Sequence, residues 1–306
     1  MDVLDLIKEG KIKRYFRATQ KLNVPNMVSH ITQRAAGKEP LFIEDSDYLM
    51  MLGLLKETAE NYSLRIYAFC LMPNHCHFLF SPEAPNLYDA MRYLFSRYAM
   101  RFNRKYERKG HLFGGPYRQA VCLHDSYLLA ASVYIHLNPV KAALVPDPSV
   151  YRWSSCRLYC EHNAPKSFVD PHFILHMLSE DGVEKKENYR LLLKQGTELE
   201  TGQVLEKEDA IEQFRSKLAS VFPSLFRLVE KKKQIASTSG IDLPSIEELD
   251  RQIEAMRAAG RFSNKPADRK AKKYLIEQLI ARGYKRAEIA ERLGVSVKTI
   301  YNLLKP

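Results

Sequence analysis

Two histidines one residue apart, His75 and His77, open the run His75–Phe80 (HCHFLF). On a strand, side chains alternate between faces, so both imidazoles project from one side and Cys76 from the other. Two neutral imidazoles on one face are a sound start for a divalent metal site. Further on, Tyr134 and Asn138 stand four apart in a helical stretch, hence one above the other on one face. The phenol could act as a nucleophile and the amide oxygen could serve the same cation. Each residue also has a plainer reading: Tyr134 as a core aromatic, Asn138 as the end of a helix before Pro139. His136, between them, is expected to point elsewhere in a structural or solvent-facing role. His30, His111, His124, His162, His172 and His176 show no comparable pattern and read as ordinary. A zinc site built from Cys70 with His75 and His77 lacks the second closely spaced ligand pair that structural zinc usually shows. The five cysteines are an odd number without CxxC spacing and read as small buried hydrophobes.

The elements that must position these residues follow from pattern. Met27–Arg34 alternates between Pro25 and Gly37 and predicts a strand. Asp45, Ser46 and Asp47 offer capping oxygens to a helix over Tyr48–Tyr62. Leu64–Cys70 is a second strand, Met72–Pro73–Asn74 a turn, and the histidine run the returning strand of a hairpin. Leu87–Arg104 carries Leu87, Met91, Leu94, Tyr98 and Phe102 at helical spacing. Arg92, Arg97, Arg101, Arg104 and Lys105 fall mostly on its outer side, either as a solvated basic face or as phosphate contacts. A Gly-rich loop and strand, Gly110–Leu123, lead to the helix of Tyr134, expected from Tyr127 to about Leu137 and stopping at Asn138–Pro139, with another short turn over Val140–Val145. This order predicts an α+β sandwich with helices on one face of an antiparallel sheet.

The 306 residues leave room for about two domains. Apolar residues make up 45%, enough for a real core, and no apolar run approaches the ~20 residues that span a bilayer. The opening MDVLDLIKEGKIKRYF lacks a signal peptide's apolar middle, so a cytoplasmic location is expected. A net charge of +11 points to a polyanionic partner such as nucleic acid. Much of that charge is localised: from Ser263 on there are eleven Lys/Arg against four Asp/Glu. There Ile289, Ala290, Leu293, Val295 and Ile300 stand where a helix-turn-helix buries its apolar residues, with Gly294 at the turn and Ser296 as cap. Lys298, Thr299, Tyr301 and Asn302 would face a DNA groove, unless the module simply packs without DNA. Between about 161 and 262 the chain reads as a charged helical connector without site chemistry, flexible near Ala236–Gly240.

The runs Ala68–Phe80 (AFCLMPNHCHFLF) and Tyr134–Val145 (YIHLNPVKAALV) resemble the HUH single-strand transposases, particularly the REP-associated tyrosine transposases. Arg97–Tyr106, Gly110–Arg118 and Trp153–Tyr159 fit the same pattern in the same order. The resemblance implies a ferredoxin-like, RRM-like sheet domain with His75 and His77 as metal ligands, Asn138 as third ligand, and Tyr134 as nucleophile. It further implies Mg²⁺ or Mn²⁺ as cofactor, single-stranded or hairpin DNA as partner, and a monomer or homodimer. Where relatives read Gly-Arg-aromatic, this chain has Gly115–Pro116–Tyr117, with Arg118 a substitute for the missing arginine. The expected organisation is a catalytic domain over 1–160, a connector over 161–262, and a DNA-binding helix-turn-helix over 263–306 that meets duplex. A non-cutting DNA-binding regulator and a water-using metal phosphodiesterase are the rival readings.

Overall fold

The computed structural model describes residues 21–304 except 38, 180, 200–209, 241–243, 245, 264, 282–283 and 285. The contacts divide into two compact units, the larger Thr19–Ile241 and the smaller containing Asp242–Pro306.

In the larger unit, β1 (Ser29–Arg34), β2 (Leu64–Met72), β3 (His75–Pro82) and β4 (Arg118–Val121) form one antiparallel sheet in the order β2-β3-β1-β4. The hairpin expected at Pro73–Asn74 is present, with Met72 opposite His75. Both turn carbonyls are used: Pro73 O accepts from Leu41 N–H at 2.7 Å, and Asn74 O from Ala35 N–H at 3.0 Å. The histidine strand is therefore interior, paired on both sides. The outer edge of β2 is covered too, since Leu71 N–H donates to Trp153 O and Ser155 N–H to Phe69 O.

Helices cover both faces, not the one face expected. On the first, α1 (Asp45–Tyr62) and α2 (Leu87–Lys105) pack against Ile31, Ile66, Leu71, Cys76, Phe78 and Phe80. Asp47, fully buried, joins them: its carboxylate accepts from Ile43 and Glu44 N–H and from Lys105 Nζ and Tyr106 Oη. The second face, with Val28, Cys70, Met72 and Leu79, carries α3 (Asp125–Lys141). Every residue of α3 from Leu128 to Pro139 is buried, because it is sandwiched between the sheet and further helices. Those are α4 (Cys156–Cys160), α5 (His172–Leu175), α6 (Gly182–Glu198), α7 (Ala210–Val221), α8 (Pro223–Lys232) and α9 (Gln234–Ser239). The expected connector is thus an outer layer whose Tyr189, Leu192, Phe214 and Leu218 complete this core. Its expected flexible stretch is α9, anchored where Gln234 and Ile235 N–H donate to the Asp125 carboxylate at 2.6 and 2.8 Å.

Nor does α3 stop at Asn138; it runs through Pro139 to Lys141. Proline cannot donate to the carbonyl four residues back, that of Ile135. Asn138 Nδ2 turns to that carbonyl at 3.4 Å, and to Tyr134 O at 2.9 Å.

The smaller unit packs α10 (Ile246–Ala258), α11 (Pro266–Ala281), α12 (Arg286–Leu293) and α13 (Val297–Leu303). Its core joins Leu249, Ile253 and Met256 to Leu275, Ile276, Leu279, Ile289, Leu293 and Ile300. Helix α10 therefore belongs with this module, so its start precedes the expected residue 263. Gly294 takes φ 65° between α12 and α13, and Ser296 Oγ caps α13 by accepting from Thr299 N–H at 3.1 Å. No helix among the described residues is long and apolar enough to cross a membrane.

Candidate active site

The alternation of β3 places Cys76 in the first core, where its thiol meets Gln33 O, and turns His75 and His77 to the face that carries α3. Their rings lie 4.9 Å apart at 86°. Tyr134 comes down from α3 on this same face, its ring 6.3 Å from that of His77 and again edge-on. The two imidazoles and the phenol thus lie on one face of the sheet. Asn138 follows one turn later, buried; with Nδ2 spent on helix carbonyls, Oδ1 is the atom it has to offer.

Both histidines are neutral at physiological pH. Burial, reinforced by Arg34, brings His75 down to about 4, and burial brings His77 well below its ordinary value, helped by His75, His30 and Arg34. His75 Nδ1 lies 2.7 Å from Asn74 Oδ1, an acceptor, so Nδ1 carries the proton and Nε2 the lone pair. His77 Nδ1 lies 2.9 Å from His30 Nε2. Neutral imidazoles, each with Nδ1 against a protein partner, and an amide oxygen are donor types that suit a divalent cation. Among the described residues no cluster of three or more His, Cys, Asp or Glu is gathered as a metal site, and Cys70 turns its thiol to Met72 Sδ at 3.6 Å.

The surroundings of Tyr134 are close-packed. It is 2% exposed, with the Phe214 ring of α7 6.0 Å away. Lys141 Nζ stands 5.6 Å over the Tyr134 ring and 4.4 Å over that of Phe214, buried without a hydrogen-bond partner among the described residues. Burial first, and then Lys217, bring this ammonium down to about 8. His136, as expected, points elsewhere: Tyr189 Oη and Ser155 Oγ hold its two nitrogens at 2.7 and 2.8 Å.

Cross-strand partners share a face, so the row Arg118, Thr32, His77, Cys70 runs across the sheet, with Arg34 opposite His75. Arg118 is thereby on the face of the imidazoles. Arg97, Arg101 and Arg104 are exposed on α2, in the layer on the opposite face, and are not brought to this site. Sequence reasoning missed His30, Thr32 and Arg34. Their i, i+2, i+4 spacing in β1 was a visible signal, but not the register that sets them beside His77 and His75. In the smaller unit Lys298, Tyr301 and Asn302 are exposed, Thr299 is half-buried and bonded to Ser296 Oγ, and Arg286 stacks over the Tyr301 ring at 4.8 Å.

The antiparallel sheet thus presents two imidazoles on the face that carries a helix-borne phenol. Residues 23–138 match the family described as "Transposase IS200 like". Among solved structures, that of the REP associates tyrosine transposase bound to a REP hairpin aligns with 50% of this chain and 93% of its own, at 12% identity and TM-score 0.42. No curated protein matches the chain.

Proposed function

We propose that this protein nicks and rejoins single-stranded DNA through a 5′-phosphotyrosine on Tyr134. The observation that carries this reading is the 6.3 Å approach of the Tyr134 ring to His77 on the imidazole face of the sheet. In the forward step Tyr134 Oη bonds to the scissile phosphorus while the bond to the 3′ oxygen breaks. The phenol proton passes to solvent, and the departing oxygen takes one up to become a 3′-OH. The ester energy is kept in the phosphotyrosine, so a 3′-OH can attack it and reseal the strand with no nucleotide cofactor. When bound by His75, His77 and Asn138, Mg²⁺ or Mn²⁺ would polarise that phosphate and offset the charge building on it. Arg34 and Arg118, on the same face, are suited to hold the strand's phosphates.

The substrate of this reading is an unpaired strand or a hairpin, as the sequence resemblance implies. Incubating the protein with labelled hairpin DNA and Mn²⁺ and running a denaturing gel tests it: a covalent protein–DNA band is expected, and cleavage without one would indicate hydrolysis by water instead. The burial of Tyr134 beneath Phe214 favours a second reading, a DNA-binding regulator that keeps the fold without cutting. In that case neither band nor cleavage appears while the hairpin still binds.

The smaller unit is proposed to act as a helix-turn-helix that meets duplex or a hairpin stem through Lys298, Thr299, Tyr301 and Asn302. Replacing Lys298 and Asn302 together by Ala should lower affinity for a stem-containing hairpin about tenfold and spare nicking of an unstructured strand. Equal affinity would count against the assignment. The arginines of α2 are kept as phosphate contacts outside the catalytic face.

A further inference from the structure

His30 lies on β1, on the same face as His77, and is buried with it. The two rings stack at 5.1 Å and 22°, and one ring nitrogen of each meets the other at 2.9 Å, His30 Nε2 against His77 Nδ1. Thr32 Oγ1 is 3.4 and 3.3 Å from the same two nitrogens. The remaining nitrogen of His30, Nδ1, is buried and has no hydrogen-bond partner among the described residues.

Two ring nitrogens 2.9 Å apart leave room for one proton between them. If His77 Nδ1–H donates to His30 Nε2, the lone pair of His77 is on Nε2, and His30 carries its own proton on the orphaned Nδ1. If the donation runs the other way, His77 bears its proton on Nε2 and has no lone pair to give a cation. We infer that His30 is a positioning residue: by accepting from His77 Nδ1–H it fixes the tautomer in which His77 Nε2 can ligate. The unpartnered Nδ1 of His30 is then explained as the cost of holding that tautomer. A histidine kept only to fill space between β1 and α3 would need no such nitrogen-to-nitrogen contact.

The inference rests on the metal reading above, so its test has two arms. In the metal-free protein, long-range ¹H–¹⁵N spectra should show His77 protonated at Nδ1. His30→Phe, which keeps a ring but removes the acceptor, should move that proton toward Nε2; His30→Gln, whose side-chain carbonyl can accept, should keep it at Nδ1. A wild-type His77 protonated at Nε2, or a His30→Phe spectrum that leaves the tautomer unchanged, overturns the role. In the second arm, Mn²⁺ titrated calorimetrically should bind His30→Phe roughly 10–100-fold more weakly and His30→Gln close to wild type. Equal weakening by both variants also overturns the role. His75→Ala and His77→Ala serve as controls. If wild type binds no Mn²⁺, or neither control weakens it, the metal reading fails, while the tautomer arm still decides what His30 does.

Discussion

The imidazole of His136 stands 2.7 Å from the hydroxyl of Tyr189, which ties the middle of α3 to α6 far along the chain. Tyr189 Oη in turn donates to Ser132 Oγ at 3.1 Å, so the contact is one link of a buried polar chain. With Ser155 Oγ on the other nitrogen, the ring is fully partnered in its neutral form.

That pairing predicts an acid limb in the stability curve. Burial brings His136 down to about 3, whereas an unfolded histidine titrates near 6.5. Above about 6.5 neither state is protonated and the contribution is whole. As pH falls from there toward 3 the unfolded chain gains a proton that the folded one refuses, and stability drops. One such group gives about 1.4 kcal/mol per pH unit at most. Urea unfolding of wild type and His136→Gln at pH 7 and pH 5 measures it, and the variant should show a shallower fall.

Lys141 predicts the opposite limb. Its ammonium is held at about 8 against an ordinary value of 10.5. Below about 8 both states are charged and the folded state bears the full cost of burying the cation. Between 8 and 10.5 the unfolded chain holds more proton, so stability rises with pH. Lys141→Met removes the buried cation and should stabilise by about 1–3 kcal/mol at pH 7, less whatever the two ring contacts return. The gain should shrink at pH 10, which chemical denaturation at the two pH values would show.

Gly196 in α6 sets two effects against each other. Alanine in a helix interior is favoured over glycine by about 1 kcal/mol. Here its Cβ would stand 2.6 Å from Leu137 Cδ1 and 3.0 Å from Phe214 Cζ, both in a fully buried core. Overpacking of that kind costs typically about 1–3 kcal/mol. Gly196→Ala should therefore lower the melting temperature by a few degrees, despite its helix propensity.

The hairpin of β2 and β3, the shared face of His75 and His77, and the one-turn spacing of Tyr134 and Asn138 were all legible from local periodicity. What escaped were relations between segments. SHITQR announced a strand, but nothing local says that Thr32 pairs with His77 or that His30 touches it. The run LLAASVYIHL is apolar all round, the mark of a helix covered on every side, yet it suggested a one-sided layer. In α6 the charged residues on the outer face masked Tyr189, Leu192 and Leu193 on the inner one. Pro139 read as a stop because the compensating Asn138 Nδ2 contact with Ile135 O is a side-chain geometry, invisible to pattern.

The most direct test of the catalytic reading is to map the covalent bond. The wild-type protein is incubated with a short single-stranded substrate and Mn²⁺, digested, and its peptides are weighed by mass spectrometry. The account predicts a nucleotide on the peptide that contains Tyr134, and its loss in Tyr134→Phe with DNA affinity within about twofold of wild type. A nucleotide attached to any other residue, or an adduct that persists in Tyr134→Phe, would contradict it.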